Sequence, residues 1–125
     1  MDVLLETAAC RLDEIPDGGA RGLVLPDEGD GPLRVMVLRR GDAVIAYRNR
    51  CPHRGTPLDL RPDDFLDREG RHIVCATHGA IFRKEDGFCL AGPCAGESLE
   101  PVPARVENGI VLVDSDAARG FRACD

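Results

Sequence analysis

The sequence predicts an antiparallel all-β fold, and three observations carry that expectation. Gly occurs 14 times and Pro 9 times in 125 residues, a supply of turn formers that favours short strands over long helices. Apolar residues fall in short runs separated by polar turns that contain Gly or Pro. The available core is aliphatic: hydrophobic residues make up 43%, aromatics 4%, and Trp is absent, so Val, Leu, Ile and Ala must fill it. This length suits one domain. A core so poor in aromatics would gain from a metal-site staple.

The elements follow in order. Ala8–Leu12 reads as a first short strand and Asp13–Gly19 as the turn after it. Ala20–Leu25 is a second strand, followed by the polar turn Pro26–Pro32. Leu33–Arg39 alternates apolar and polar at first and then becomes evenly apolar. Gly41-Asp42 is a two-residue hairpin turn, and Ala43–Tyr47 is the partner strand that delivers the chain to Cys51. Arg54–Val74 is mostly loop, with one helical turn expected within Pro62–Glu69. His72–Cys75 is a strand. Gly79–Arg83 and Phe88–Leu90 form a hairpin around Lys84–Gly87, and Gly92-Pro93 opens another loop. Pro101–Val106 and Gly109–Val113 form a last hairpin, and Asp114–Asp125 is a tail.

Charge and segment patterns narrow the function. The net charge of -6 speaks against nucleic acid and anionic lipid as partners. It allows steering toward a basic protein surface, or solubility alone. No apolar run approaches the ~20 residues of a membrane span. Met1–Glu6 lacks the basic start and apolar stretch of a secretory signal, so a cytoplasmic location is expected. Thiols there are metal ligands or free before they are disulfides.

Two short runs carry the chemistry. Cys51-Pro52-His53 and Cys75-Ala76-Thr77-His78 lie 24 residues apart, Cys to Cys, and each offers a thiolate and an imidazole on a short turn. Together they make four ligands, one complete metal set. A 2Fe–2S cluster with Cys on one iron and His on the other needs this mixture. Neutral imidazoles in place of thiolates leave it less negative and more easily reduced than an all-Cys cluster. Tetrahedral zinc also accepts two Cys and two His, although Cys-x-His is a poor zinc-finger spacing.

Cys51-Pro52-His53-Arg54-Gly55-Thr56-Pro57-Leu58 and Cys75-Ala76-Thr77-His78-Gly79 resemble the two signature boxes of Rieske iron–sulfur domains. Ala46–Arg50, the Phe82–Gly87 segment and Leu99–Pro103 extend the resemblance over residues 5–113. The separation of His53 from Cys75 by 21 residues is longer than usual for the family and enlarges a surface loop around Pro62–Arg71. The resemblance implies an antiparallel Rieske fold over 1–113, with a small cluster-binding subdomain built from loops at about 48–95. Cys51 and Cys75 would hold the buried iron, and His53 and His78 the outer one.

The resemblance is closest to stand-alone Rieske-type ferredoxins. The Rieske proteins of cytochrome complexes add a disulfide whose positions here are Thr56 and Thr77. Their Ser and Tyr donors to the cluster correspond to Ala80 and Phe82, which have no side-chain donor. A hydrogen bond to a charged group contributes about 1.5–3 kcal/mol. Two missing donors therefore lower the potential by at most about 250 mV. The expected cluster lies near the bottom of a range of about -150 to +300 mV. Three His in all leave only His72 beyond the ligands, too few for the mononuclear iron of an oxygenase.

The implied function is a one-electron carrier, monomeric and without activity of its own. It would serve a reductase and an oxygenase or similar enzyme, with no small-molecule substrate. The alternatives are an accessory subunit of a larger reductase, similar to the small subunit of assimilatory nitrite reductase, and a structural zinc module.

Several residues carry secondary expectations. Cys89 reads as a buried strand thiol and Cys94 as packed near the cluster loop, with a redox-active pair as the alternative. Cys10 reads as a core residue and Cys124 as an exposed tail thiol. His72 is expected to face solvent. Asp63, Asp64, Asp67 and Glu69 form either a solvated loop or a docking patch. Arg50, Arg54, Arg83 and Lys84 either lie near the cluster or are simply solvated. The backbone N–H groups of Arg54, Gly55, Gly79 and Ala80 are candidate donors to cluster sulfur.

Overall fold

The computed structural model describes residues 6–25, 33–50, 58–59, 63–75, 79–93 and 95–114. Among the described residues there are ten strands in three antiparallel sheets: β1 (Glu6–Arg11), β2 (Ala20–Leu25), β3 (Leu33–Arg40), β4 (Ala43–Arg48), β5 (His72–Val74), β6 (Ile81–Arg83), β7 (Cys89–Ala91), β8 (Pro101–Val102), β9 (Ala104–Glu107) and β10 (Ile110–Asp114). The sheet orders are β1-β10-β9, β2-β3-β4-β8 and β5-β6-β7. Among the described residues, no helix is long and apolar enough to cross a membrane.

The apolar run in β3 explains the layering. Successive strand side chains point to opposite faces, so a run with no polar interruption belongs to a strand covered on both sides. Val35 and Val37 face one core with Leu25, Ala46, Val102, Val111 and Val113. Met36 and Leu38 face a second core with Tyr47, Leu58, Phe65, Ile73, Cys75, Phe82 and Leu99. All four are essentially buried, each contributing about 1.5–3 kcal/mol relative to exposure. The first core joins the sheet containing β3 to the β1-β10-β9 sheet. The second joins it to the small β5-β6-β7 sheet, whose first strand ends directly before Cys75.

The expected hairpin at Gly41-Asp42 is present, with Arg40 opposite Ala43 and Gly41 at φ +61°. Two expectations are corrected. No helical turn forms in residues 63–69; Leu66 instead bridges Ile73, and a tight turn carries the chain back. That turn is built by Gly70, at φ +71°, donating to Asp67 O at 2.9 Å, while Arg71 N donates to the Asp67 side chain at 2.8 Å. An Asp side chain that captures backbone N–H groups competes with helix formation.

Pro101–Val106 is likewise not one strand. Pro103 has no N–H to extend a ladder, so the segment splits into β8, beside β4, and β9, beside β10. The Pro103 carbonyl still accepts Asp114 N–H at 2.9 Å, tying the two sheets together at the split. The expected tail begins within β10 at Asp114, and residues 115–125, Cys124 included, lie outside the described residues. The expected turn Pro26–Pro32 also lies outside them.

Candidate metal centre

Of the four expected ligands, Cys75 is described; Cys51, His53 and His78 lie outside the described residues. Cys75 follows β5 directly and is fully buried. The turn it opens is closed by backbone bonds at both ends: Cys75 N–H donates to Ala80 O at 2.9 Å, and Gly79 N–H donates to Cys75 O at 2.7 Å. Gly79 has φ +74°, a left-handed value that glycine adopts without a Cβ penalty. Its N–H is therefore committed to a carbonyl, which corrects its expected role as a donor to cluster sulfur. Arg54 and Gly55, two other expected donors, lie outside the described residues.

The first ligand loop is gripped at its two ends. Asn49 is the one buried polar residue among those described, and its side chain reaches across the loop base. Asn49 Oδ1 accepts Leu58 N–H at 2.6 Å, and Nδ2 donates to Asp59 Oδ1 at 2.9 Å. Leu58 is fully buried in the same core as Cys75 and Ala80. The exit of the first loop and both ends of the second turn thus share one apolar core.

A third segment closes on them. Gly92, at φ +106°, lies so near the turn that a Cβ there would sit 2.7 Å from Ala80 Cα. Ala80 and Phe82 are fully buried, so the positions after the second box are apolar in space as well as in sequence. Cys89 is a buried β7 thiol, as expected, with Sγ donating to Ala91 O at 3.2 Å. Cys94 lies outside the described residues. Cys10 is half-buried at a β-bulge of β1, packed against the first core, and burial pushes its thiol pKa up.

The charged candidates fall elsewhere. Arg83 and Lys84 lie at the end of β6 away from the Cys75 turn. Arg83 pairs with Asp86 and stacks 5.3 Å from the Phe88 ring centre; Lys84 Nζ donates to Gly18 O at 3.2 Å. They tie down the β6–β7 turn rather than serve the cluster. Arg50 is exposed, and Arg54 lies outside the described residues.

Two residues of the acidic loop hold backbone. Asp63 Oδ1 accepts Gly22 N–H at 2.7 Å, and Asp67 accepts Arg71 N–H, which is the leading reason its carboxyl lies below the usual range. His72 is partly covered, its Nδ1 3.2 Å from Asp67 Oδ2, and does not stand alone in solvent. Sequence reasoning did not find the Asn49–Asp59–Asp63 chain of bonds. Its only local signal is that Asn and Asp are turn-forming types.

The three-sheet fold brings the buried Cys75 turn and the base of the first loop to one core, and comparison with known proteins names the family. The Rieske [2Fe-2S] domain model matches residues 6–109, so the chain belongs to the Rieske [2Fe-2S] family. Its cofactor is a 2Fe–2S cluster, and the two Cys and two His of the two short runs are the donor types it takes; Cys75, the one of these four that is described, lies in an apolar, fully buried setting.

The chain is 34% identical over 73 residues to the oxidoreductase NdmD of Pseudomonas putida. That match covers 57% of this chain and 12% of the relative. It is similar in structure to the ferredoxin of carbazole 1,9a-dioxygenase from Nocardioides aromaticivorans IC177, with 28% identity and a TM-score of 0.65 over 86% of this chain and 95% of that one. A Sphingomonas yanoikuyae B1 ferredoxin shares the fold, with 23% identity and a TM-score of 0.64 over 87% and 97%.

Proposed function

We propose that the chain is a one-electron carrier whose low-potential 2Fe–2S cluster is held by Cys51 and Cys75 on one iron and His53 and His78 on the other. The observation that carries this reading is the fully buried Cys75 at the mouth of a closed turn, followed by the fully buried, apolar Ala80 and Phe82. When bound, the cluster supplies one-electron oxidation and reduction.

The chain's residues set the conditions. Leu58, Ala80 and Phe82 exclude water around Cys75, and an apolar setting disfavours added negative charge. Neither Ala80 nor Phe82 has a side-chain donor to offset it. Both effects favour the oxidised state and a low potential.

A single domain over residues 1–113 would carry this function, acting as a cytoplasmic monomer with no small-molecule substrate and no activity of its own. Its donor would be a reductase and its acceptor an oxygenase or similar enzyme, in keeping with the similarity to the ferredoxin of a dioxygenase. A second reading, an electron-transfer module of a larger oxidoreductase, is favoured by the match to 12% of the longer NdmD.

Assay of the purified protein for iron, sulfide and colour tests the cofactor's site. The expected result is a brown protein with two irons and two sulfides per chain, and loss of both in Cys51→Ser and His78→Ala. A colourless, zinc-loaded protein contradicts it. Co-purification from the host separates the two readings, because a free carrier travels alone.

A further inference from the structure

We propose that Asn49 is a positioning residue that ties the exit of the first cluster-binding loop to its entry, with Asp59 as its obligatory partner. The proposal rests on the cluster-ligand reading above and deepens it.

The chain leaves β4 after Arg48, passes through residues 50–57 with Cys51 and His53 among them, and returns at Leu58. A loop of eight residues has many conformations, and bringing two ligands into one geometry costs the entropy of all the others. One side chain spans the opening. Asn49 Oδ1 accepts Leu58 N–H at 2.6 Å while its Nδ2 donates to Asp59 Oδ1 at 2.9 Å. Its own backbone N–H donates to Arg34 O at 2.9 Å, fixing it to β3.

The role needs an amide. An acceptor and a donor must point to two different partners at once; a carboxylate has no donor, and an aliphatic residue has neither. Burial raises the stakes, because a buried polar group left unpaired costs about 1–3 kcal/mol.

The latch is anchored beyond Asp59. Asp59 Oδ2 accepts Asp63 N–H at 3.1 Å, and Asp63 Oδ1 accepts Gly22 N–H at 2.7 Å. Asp63 holds φ +69° to do so, an uncommon conformation for a residue with a side chain. Gly22 allows the approach: a Cβ there would lie 3.0 Å from the Phe65 ring and 3.5 Å from Asp59 Oδ2. A continuous line of hydrogen bonds therefore runs from the end of β4 through the longer loop of this chain to β2. The loop's extra length thereby gains a role in holding the first ligand pair.

The polarity of the Asn49–Asp59 bond makes the proposal testable by exchange. Asn49→Asp sets two carboxylates face to face. Asp59→Asn sets two amide donors face to face, a milder conflict. The double variant N49D/D59N restores one donor and one acceptor in reversed order. Asp at 49 can still accept Leu58 N–H, and Asn at 59 can still accept Asp63 N–H.

The experiment measures iron release from the holoprotein to a chelator and the EPR line shape of the reduced protein, with Tyr47→Phe as a variant of comparable structural cost away from the loop. Loss of a supporting partner around metal ligands typically weakens binding about 10- to 100-fold. N49D is expected to release iron faster by that factor and to broaden the EPR signal. N49D/D59N is expected to return to within about threefold of the unaltered protein, and Tyr47→Phe to keep the EPR line shape.

Unchanged release and EPR in N49D overturns the proposal. So does a double variant that recovers its unfolding midpoint but not its iron retention. If the unaltered protein binds no cluster, the ligand reading fails by itself. The latch is then read in the apoprotein by hydrogen exchange at Leu58 N–H, slow in the unaltered chain and fast in Asn49→Leu, whose side chain has no acceptor; equal exchange in the two overturns it.

Discussion

Substituting Gly92 by Ala tests the closure of the third segment onto the Cys75 turn. The new Cβ would sit 2.7 Å from Ala80 Cα, 3.1 Å from its Cβ and 3.3 Å from its N, all parts of a buried residue with little room to move. Gly92 also has φ +106°, where a left-handed backbone costs a residue with a Cβ about 1–2 kcal/mol. Overpacking adds about 1–3 kcal/mol, for a total of about 2–5 kcal/mol.

Gly96 supplies the control. Its φ is +92°, yet a Cβ there meets nothing within 4 Å, so Gly96→Ala incurs only the backbone cost. At about 4 °C per kcal/mol for a domain this size, thermal unfolding should fall by about 8–20 °C in G92A and about 4–8 °C in G96A. Because Ala80 O holds Cys75 N–H, the displacement in G92A reaches the ligand turn and should alter the visible spectrum, whereas G96A should not. Equal unfolding midpoints and equal spectra in the two variants would refute the reasoning.

Three further outcomes follow from the same geometry. Tyr47 OH donates to Lys84 O at 2.7 Å and burial, aided by Asp86 and Glu85, pushes its pKa up to about 12 from 10.0. The folded state thus favours the protonated phenol, so its contribution is complete below pH 10, fades as pH rises through about 12, and vanishes in Tyr47→Phe; tyrosinate absorbance of this single Tyr during alkaline titration checks it. Asp86 is held down to about 2 by the Arg83 guanidinium and Phe88 N–H, so the β6–β7 turn should loosen as pH falls from 3.8 toward about 2; backbone NMR shifts at Phe88 should follow that window and lose it in Asp86→Asn. Ala80→Ser adds a side-chain donor beside Cys75 and should raise the midpoint potential by up to about 125 mV, so an unchanged or lower midpoint counts against the low-potential argument.

Much of the fold was legible because local chemistry and tertiary packing agree. Gly41-Asp42 forms its hairpin turn as the residue types demand, and Ala20–Leu25 is bounded as its pattern suggests. The run Val35-Met36-Val37-Leu38 announced a strand, but period-two reading alone does not say that both faces are covered. That needed the β5-β6-β7 sheet to be placed.

The acid-rich loop was misread in part because Asp can either face water or capture backbone N–H groups, and composition does not choose between them. Asp63 and Asp67 do the latter, across 41 residues in the case of Gly22. For the same reason Asn49 was invisible as a latch: its partner Asp59 lies ten residues on, beyond any local pattern. Cys75, by contrast, was marked by motif spacing, and its burial follows from its position at the end of a core strand.

An EPR-monitored redox titration of the purified protein tests the central claim most directly. The account predicts one signal from a reduced 2Fe–2S cluster, following a one-electron curve with a midpoint near the lower end of about -150 to +300 mV. A midpoint above about +150 mV on that scale, or no cluster signal at all, would contradict it.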